Sequence, residues 1–337
     1  MSETWVTLAV ILAGVAVVVG SVLWLRLHAF LALVFGALVV GGLTPRESLT
    51  RYYVESKKLA PEAAAIQANK NLGVRIAQGF GDTCISIGIL IAMAAIVGKC
   101  LLDSGAADRI VRTALRLFGE RAAPLAFLLS GFTLGIPVFF DTVFYLMIPL
   151  GKAMSLRTGR NYLLYVLTIV CGASMAHSLV PPTPGPLFVA EALGVDLGTM
   201  MVAGCIVGLF SATTGCLYAY LANRLWTLPL RESPEFSLKD LKQSSELDES
   251  LLPPLWLSLL PILLPVVLIA GQTFLEEGLV GSGAPPALLQ AAATLGDKTI
   301  ALTNAAVVAM ATLVRQKPTT RDDVADANHA AQANGGV

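Results

Sequence analysis

Runs of apolar residues long enough to carry an α-helix through a bilayer, about 20 residues each, alternate along this chain with short polar, charge-bearing stretches. Residues 5–25 form the first run, which ends at Arg26. Residues 28–43 are shorter but uninterrupted and stop at the turn signal Thr44-Pro45. Residues 46–78 are polar and mixed in charge, which predicts an extramembrane loop with some helix. Further apolar runs cover 84–102, 122–150, 162–193, 198–222, 255–275 and 300–314. The stretch 223–251 is rich in serine and charge, and 315–337 is a polar tail whose composition predicts disorder. The N-terminal run is too long for the core of a cleavable signal and has no Lys or Arg ahead of it, so it is expected to remain as a span.

The placement of basic residues predicts the topology. Arg109, Arg112, Arg116 and Arg121 precede the run 122–150, and Lys152, Arg157 and Arg160 follow it. Basic flanks stay in the cytoplasm, so this run must enter and leave on one side. At 29 residues it is too short for two crossings of a core about 30 Å thick at about 1.5 Å per residue. A re-entrant hairpin of two half-helices satisfies both conditions. By alternation the N-terminus and Glu276-Glu277 lie outside, while Arg224, Lys239 and Arg315 lie inside. The loop 46–78 then falls outside despite its six basic residues, which its three glutamates only partly offset. On this count 5–25 runs inward and 255–275 runs outward, as the opening helices of an inverted repeat would. The expected organisation is a first transmembrane repeat over 1–222, with hairpin 122–150 and broken helix 162–193. A cytoplasmic loop at 223–251, a partial second repeat over 252–315 and the tail 316–337 follow.

Composition agrees with this pattern. Of 337 residues, 55% are hydrophobic and 14% charged, against about 25% charged in soluble domains, and the mean hydropathy is +0.72. The fold class predicted is an all-α polytopic membrane protein. Basic and acidic residues balance at 23 each, which gives no field for nucleic acid. The five cysteines, Cys84, Cys100, Cys171, Cys205 and Cys216, lie scattered in apolar runs without CxxC spacing. They read as small helix residues rather than as disulfides or metal ligands, and no metal or cofactor is expected.

Two segments break the rule that backbone in a membrane is helical. In 131–145, glycines and Pro137 interrupt an apolar run and Asp141 follows. In 177–186, four prolines fall within the six residues 181–186, which no helical ladder sustains. Irregular backbone at bilayer depth is tolerated only where protein or a water-filled cavity surrounds it, and paired breaks point to a transport site. A helix restarting after proline exposes N–H groups with partial positive charge, which can hold a carboxylate without Lys or Arg. Neither segment contains Lys or Arg. Thr133, Gly135, Thr142, Ser178, Pro182, Thr183, Pro184 and Gly185 are the expected substrate-binding positions, the hydroxyls suiting a polyhydroxylated solute. Asp141, set among Phe139, Phe140, Val143, Phe144 and Tyr145, is expected to take up and release a proton, against the plainer reading of a carboxylate capping a half-helix. His177 is a second proton carrier or a substrate donor, against a packed histidine. Lys99, Asp103 and Asp82 flank span ends, where snorkelling explains them; His28 and His329 carry no assigned role.

These motifs resemble the gluconate:proton symporter (GntP) family of bacterial inner-membrane permeases. The segment from Gly98-Lys-Cys-Leu-Leu-Asp through Arg109-Ile110 is similar to the family's GKxLxxxGxAxRI. Gly131-Phe-Thr-Leu-Gly, Phe140-Asp141 and Leu146-Met-Ile-Pro-Leu150 are similar to its GFTxG…F-acid…LMxPL, and 177–186 is similar to its HxxxPPxPGP. The similarity runs in order over residues 1–315. It implies a secondary transporter that imports gluconate or a related sugar acid with a proton, in the inner membrane, and it is compatible with a homodimer. Asp141 stands where the family pattern has Glu, and Thr183 where it has His. The resemblance also implies that the second hairpin and second broken helix of the family are missing after residue 315, as in a C-terminally truncated permease. Two alternatives stand beside transport. One is a non-transporting remnant of such a permease. The other is an intramembrane aspartyl protease, because Gly79-Phe-Gly-Asp82 fits GxGD with Asp141 as a second aspartate. The protease reading leaves the proline-rich break unexplained.

Overall fold

The computed structural model describes residues 3–226, 228, 252–279 and 286–334, and among these every regular element is helical. The loop expected over 223–251 lies almost wholly outside the described residues. In chain order the helices are α1 (Glu3–Leu23), α2 (Ala29–Leu43), α3 (Arg46–Glu55), α4 (Pro61–Ala68), α5 (Leu72–Thr83), α6 (Ile89–Asp103), α7 (Ala106–Phe118), α8 (Ala123–Gly135), α9 (Phe140–Thr158), α10 (Tyr162–Leu179), α11 (Pro184–Leu193), α12 (Leu197–Leu225), α13 (Leu255–Leu279), α14 (Pro286–Gly296) and α15 (Lys298–Asn334). A five-residue π-turn, Cys84–Gly88, joins α5 to α6. Among the described residues six stretches are long and apolar enough to cross a membrane. They are Thr4–Leu23, Leu72–Asp103, Tyr162–Leu193, Leu197–Leu225, Leu255–Leu275 and Lys298–Gln316, with a seventh if α2 and α3, bent by 98°, count as one span. The window of the first is only 11% buried within the chain. So apolar a surface needs lipid to cover it. The chain is a polytopic membrane protein.

Several boundaries differ from the sequence expectation. The polar stretch 46–78 is largely helical, as α3, α4 and the start of α5. Helix α9 runs past residue 150 to Thr158, where Gly159 in the left-handed region (φ 69°) ends it. The tail expected to be disordered is helical in its backbone as far as Asn334, continuing α15.

The chain divides into two compact units, Met1–Ser86 and Ile87–Val337. In the first, α1 and α2 pack as a hairpin in which Val40 lies against Gly14 and Val18 against Gly36. The Arg75 guanidinium donates to the Gly41 carbonyl at 3.0 Å, tying α5 to α2.

In the second unit α8 and α10 are the closest-packed pair. A Cβ placed on Gly172 would overlap the Leu128 carbonyl, and one on Gly135 would stand 2.8 Å from the Ala173 carbonyl. Small residues spaced by four let helix backbones approach this closely, which is the main source of association between helices in lipid. The pairings Phe127 with Tyr165 (ring centroids 5.5 Å apart), Gly131 with Ile169 and Gly135 with Ala176 advance together along both helices. Helices α8 and α10 are therefore parallel, with α9 carrying the chain back between them, and their C-terminal ends coincide. Helix α12 runs antiparallel to α10, from Gly204 beside Leu179 and Val180 to the Asn223 amide donating to Asn161 at 3.0 Å. A core including Phe127, Phe132, Val143, Met147, Tyr165 and Ile169 fills the space among α8, α9 and α10.

Helix α7 is amphipathic and buries Ala106, Ala107, Ile110 and Val111. Burial pushes the Asp108 carboxyl above its usual range, and Arg112 nearby opposes the shift. The Arg157–Glu120 ion pair at 2.6 Å joins the end of α9 to the turn after α7. With the Asn223–Asn161 contact it gathers Arg116, Arg121, Arg157, Arg160 and Arg224 at one end of this unit, the end that basic-residue placement assigns to the cytoplasm.

The α8–α10 contact predicts that Gly172→Ala costs about 1–3 kcal/mol, the range for overpacking a tight interface, because the obstacle is backbone. A thermal unfolding scan in detergent should show a drop of several degrees. Gly271→Ala, where a Cβ meets nothing within 4 Å, should leave the midpoint unchanged or slightly raised.

Candidate functional site

The first break follows from Gly135 and Pro137. Helix α8 ends at Gly135, Ile136–Phe139 is irregular, and α9 restarts with Phe139 as its extended N-cap. The second follows from the proline cluster. Helix α10 ends at Leu179, the Pro181-Pro182 peptide is cis, and Thr183 is the N-cap of α11. The Thr183 hydroxyl is shared between two carbonyls left over by the break, His177 at 2.7 Å and Val180 at 2.8 Å. Thr183 is thus a clamp on the break before it is anything else.

Because α8 and α10 are parallel, the two breaks lie side by side. Pro137 and Phe139 from one, and Pro182, Thr183 and Pro184 from the other, line one small cavity closed by Ile91, Ala94 and Ala95 of α6. The Phe139 ring lies 5.7 Å from that of His177. Each break is backed by a glycine. A Cβ on Gly98 of α6 would come 3.1 Å from the Pro137 carbonyl, and one on Gly204 of α12 would overlap the Leu179 carbonyl. Pro137, Val138, Pro181, Pro182 and Thr183 are buried, so the irregular backbone is enclosed by protein, as the membrane requires. The backing residues Ala94, Gly98 and Gly204 were not singled out from the sequence as site residues. The small-residue spacing Ala94-x-x-x-Gly98 was the available signal.

The expected site residues divide. Pro182, Thr183 and Pro184 line the cavity, and His177 abuts it with Nδ1 enclosed and without a hydrogen-bond partner. Gly135 is consumed in the α8–α10 contact and has no room for a ligand. Thr133 and Thr142 are half-buried, whereas Ser178 and Gly185 are exposed. Asp141 departs from expectation, because it lies exposed on the chain rather than enclosed by aromatic rings. The buried face of α9 is Val143, Met147 and Leu150, and residue 141 is about 200° around the helix from residue 143.

The amide ends are unequal. At α11, Pro184 and Pro186 lack N–H groups and Leu187 N–H is bonded to the Thr183 carbonyl at 3.1 Å, so Gly185 alone offers an amide. At α9, no side chain caps the first turn and Val143 N–H bonds back to Phe139. Phe140, Asp141 and Thr142 therefore present three amides. The cavity between the breaks measures about 10 Å³, at the lower limit for one water, so the junction is closed to any larger solute.

A second cavity of about 440 Å³ lies beside α11 within the same unit, lined by Leu187, Glu191, Asp196, Thr273, Asp297 and Lys298 among others. Burial would raise the Asp196 carboxyl, but donors outweigh it and hold it below the usual range: Thr199 N–H at 2.9 Å and the Thr273 hydroxyl at 2.8 Å.

The sequence profile described as GntP family permease matches residues 63–337, which include both breaks. The chain belongs to the GntP permease family. Its relatives include an uncharacterized permease of Haemophilus influenzae, 32% identical over 77% of this chain and 49% of that protein. A gluconate permease of Pseudomonas aeruginosa is 35% identical over 59% of this chain and 43% of the other. The L-idonate transporter of the Gnt-II system of Escherichia coli is 27% identical over 95% of this chain and 66% of the other. This GntP permease chain spans about half the length of the first two. No solved structure matches it. A permease family is a family of transporters and not of enzymes, which removes the protease alternative built on Asp82 and Asp141.

Two outcomes are expected of this geometry. Thr183→Val leaves two buried carbonyls without their donor and should cost about 1–3 kcal/mol, read as a lower thermal midpoint, while Thr183→Ser restores it. Asp196 is held below its ordinary value, so its stabilising share is full above the ordinary carboxylate range, about pH 3.9, and is lost as pH falls through the depressed value. Thermal scans should show that loss in the parent chain and a shallower one in Asp196→Asn, which keeps a capping side chain.

Proposed function

We propose that this chain acts in the bacterial inner membrane as a permease that imports gluconate or a related sugar acid together with a proton. The observation that carries this reading is the meeting of the two breaks, which puts the uncapped amides of α9, Gly185 of α11, and the pair Asp141 and His177 in one neighbourhood. In this reading the substrate carboxylate docks on the amides of Phe140, Asp141 and Thr142, whose dipoles favour an anion. His177, with Nδ1 free, donates to the carboxylate or to a hydroxyl. Thr133, Thr142 and Ser178 serve the sugar hydroxyls.

Asp141 sits in the first turn of the same helix, where its own negative charge competes with the incoming carboxylate for the dipole. Protonation of Asp141 removes that competitor, and binding of the anion in turn favours the protonated acid. Two ligands that assist each other's binding through one site are coupled by linkage. The names of relatives, gluconate permease and L-idonate transporter, supply the substrate class. The run α13 reads as the opening of a second, inverted repeat.

The test is uptake of labelled gluconate into liposomes holding the 337-residue chain, driven by an inward proton gradient. Accumulation is the expected result. Asp141→Asn should abolish gradient-driven accumulation yet retain exchange of internal for external gluconate, whereas His177→Asn should lower both by about tenfold, the worth of one charge-assisted hydrogen bond. A folded chain that neither accumulates nor exchanges sugar acids would establish the non-transporting reading instead.

A further inference from the structure

The junction of the breaks, at about 10 Å³, admits no sugar acid, while the cavity of about 440 Å³ nearby has the volume of small-molecule sites, about 300–1,000 Å³. The two are separated by one apolar layer. Ile87 of the π-turn, Leu90 of α6, Leu187 of α11 and Leu302 of α15 form a buried cluster, with Leu90, Leu187 and Leu302 each only 2% exposed. Along the π-turn and α6 the large cavity touches Ile87 and Leu90, and the junction touches Ile91, Ala94 and Ala95. Along α11 it touches Leu187, Ala190 and Glu191, and the junction touches Pro184. One helical turn, about 5.4 Å, therefore carries either helix from one space to the other. Resting on the transport reading above, we infer that the larger cavity is the access vestibule for the sugar acid and that Leu90, Leu187 and Leu302 are its closed gate.

The vestibule lining is polar and acidic, with Glu191, Asp196 and Asp297 on it, and it suits the hydroxyls of a sugar acid rather than its carboxylate. Asp196 caps α12 through Thr199 N–H, and Asp297 caps α15 through Thr299 and Ile300 N–H at 3.0 and 3.1 Å. Both carboxylates thus face positive helix ends. Lys298 is the cation among the described lining residues, and Gln272 and Thr273 add polar groups. The layer beneath offers a solute no polar partner, and narrow apolar constrictions exclude water and polar solutes without a plug.

The gate also has parts built to move. Helix α11 has only ten residues, with the proline break at one end and Gly194, in the left-handed region (φ 64°), at the other. Short elements bounded by such residues take up hinge motion. Ile87 lies on the π-turn Cys84–Gly88, a form of helix frequent at functional sites. Tilting α11 about its ends would withdraw Leu187 and join the vestibule to the junction.

Thiol labelling tests this without any sugar acid. In a full-length chain whose five cysteines are replaced by serine or alanine, Val195→Cys reports on the vestibule and Ala94→Cys on the junction. A cationic methanethiosulfonate reagent should label Val195→Cys quickly and Ala94→Cys slower by an order of magnitude or more. Adding Leu187→Ala or Leu302→Ala should raise the Ala94→Cys rate toward that of Val195→Cys. Labelling of Ala94→Cys as fast as Val195→Cys with the leucines intact would overturn the gate. So would an unchanged slow rate in both trimmed variants while Val195→Cys still reacts as in the parent. Absence of gluconate uptake with the labelling pattern intact would remove the transport reading and leave the gate; uptake with the pattern absent would do the reverse.

Discussion

The close contact between α8 and α10 sets the geometry of everything the chain places at its centre. In lipid no hydrophobic force drives two apolar helices together, so they associate where backbone can meet backbone. Gly131, Gly135 and Gly172 allow this, with Leu128 and Ala173 carbonyls standing where other residues would carry a Cβ. The contact is parallel and close to the C-terminal ends of both helices. It therefore aligns two interruptions that are about 45 residues apart in sequence. Moving either helix by one turn would separate the breaks and leave two ordinary defects.

Interrupting a helix in a membrane strands carbonyls and amides that water cannot reach. The chain meets that cost with few atoms. One hydroxyl, that of Thr183, serves the His177 and Val180 carbonyls. Gly98 and Gly204 let neighbouring helices close over the remaining backbone. Amides remain unserved at Phe140, Asp141, Thr142 and Gly185, donors held in place at the ends of α9 and α11 that the proposed reading assigns to the substrate. The same economy explains why the junction is nearly solid in this conformation. A void of sugar-acid size at this depth, with no occupant, would lose the packing that holds the breaks together.

The separation of a small closed junction from a larger polar cavity by a single leucine layer gives the two breaks a direction of approach. It also divides the labour between residue types. Carboxylates and a lysine line the open space, leucines close the passage, and glycine and proline shape the backbone beneath. Asp141 and His177 lie on the junction side of that layer, with the His177 ring 5.7 Å from that of Phe139.

Run length against bilayer thickness and the missing N–H of proline act over a few residues. The helical class, the long apolar spans, the interruptions at 131–145 and 177–186 and the family kinship were therefore all determined by local sequence. The boundary of α9 at Gly159 and the helical backbone through Asn334 were harder to read, because helix ends answer to capping and packing as much as to composition. What only the tertiary structure decided was which parts meet. Nothing in the residues around Gly135 or Gly172 specifies a parallel partner, since a glycine face fits either direction. Likewise, the aromatic neighbours of Asp141 suggested burial, but which side of α9 turns inward depends on where Val143 and Met147 find their core. The reduction of Gly135 to packing, the role of Thr183 as a clamp, and the backing by Gly98 and Gly204 come from contacts between distant segments, which no local rule encodes.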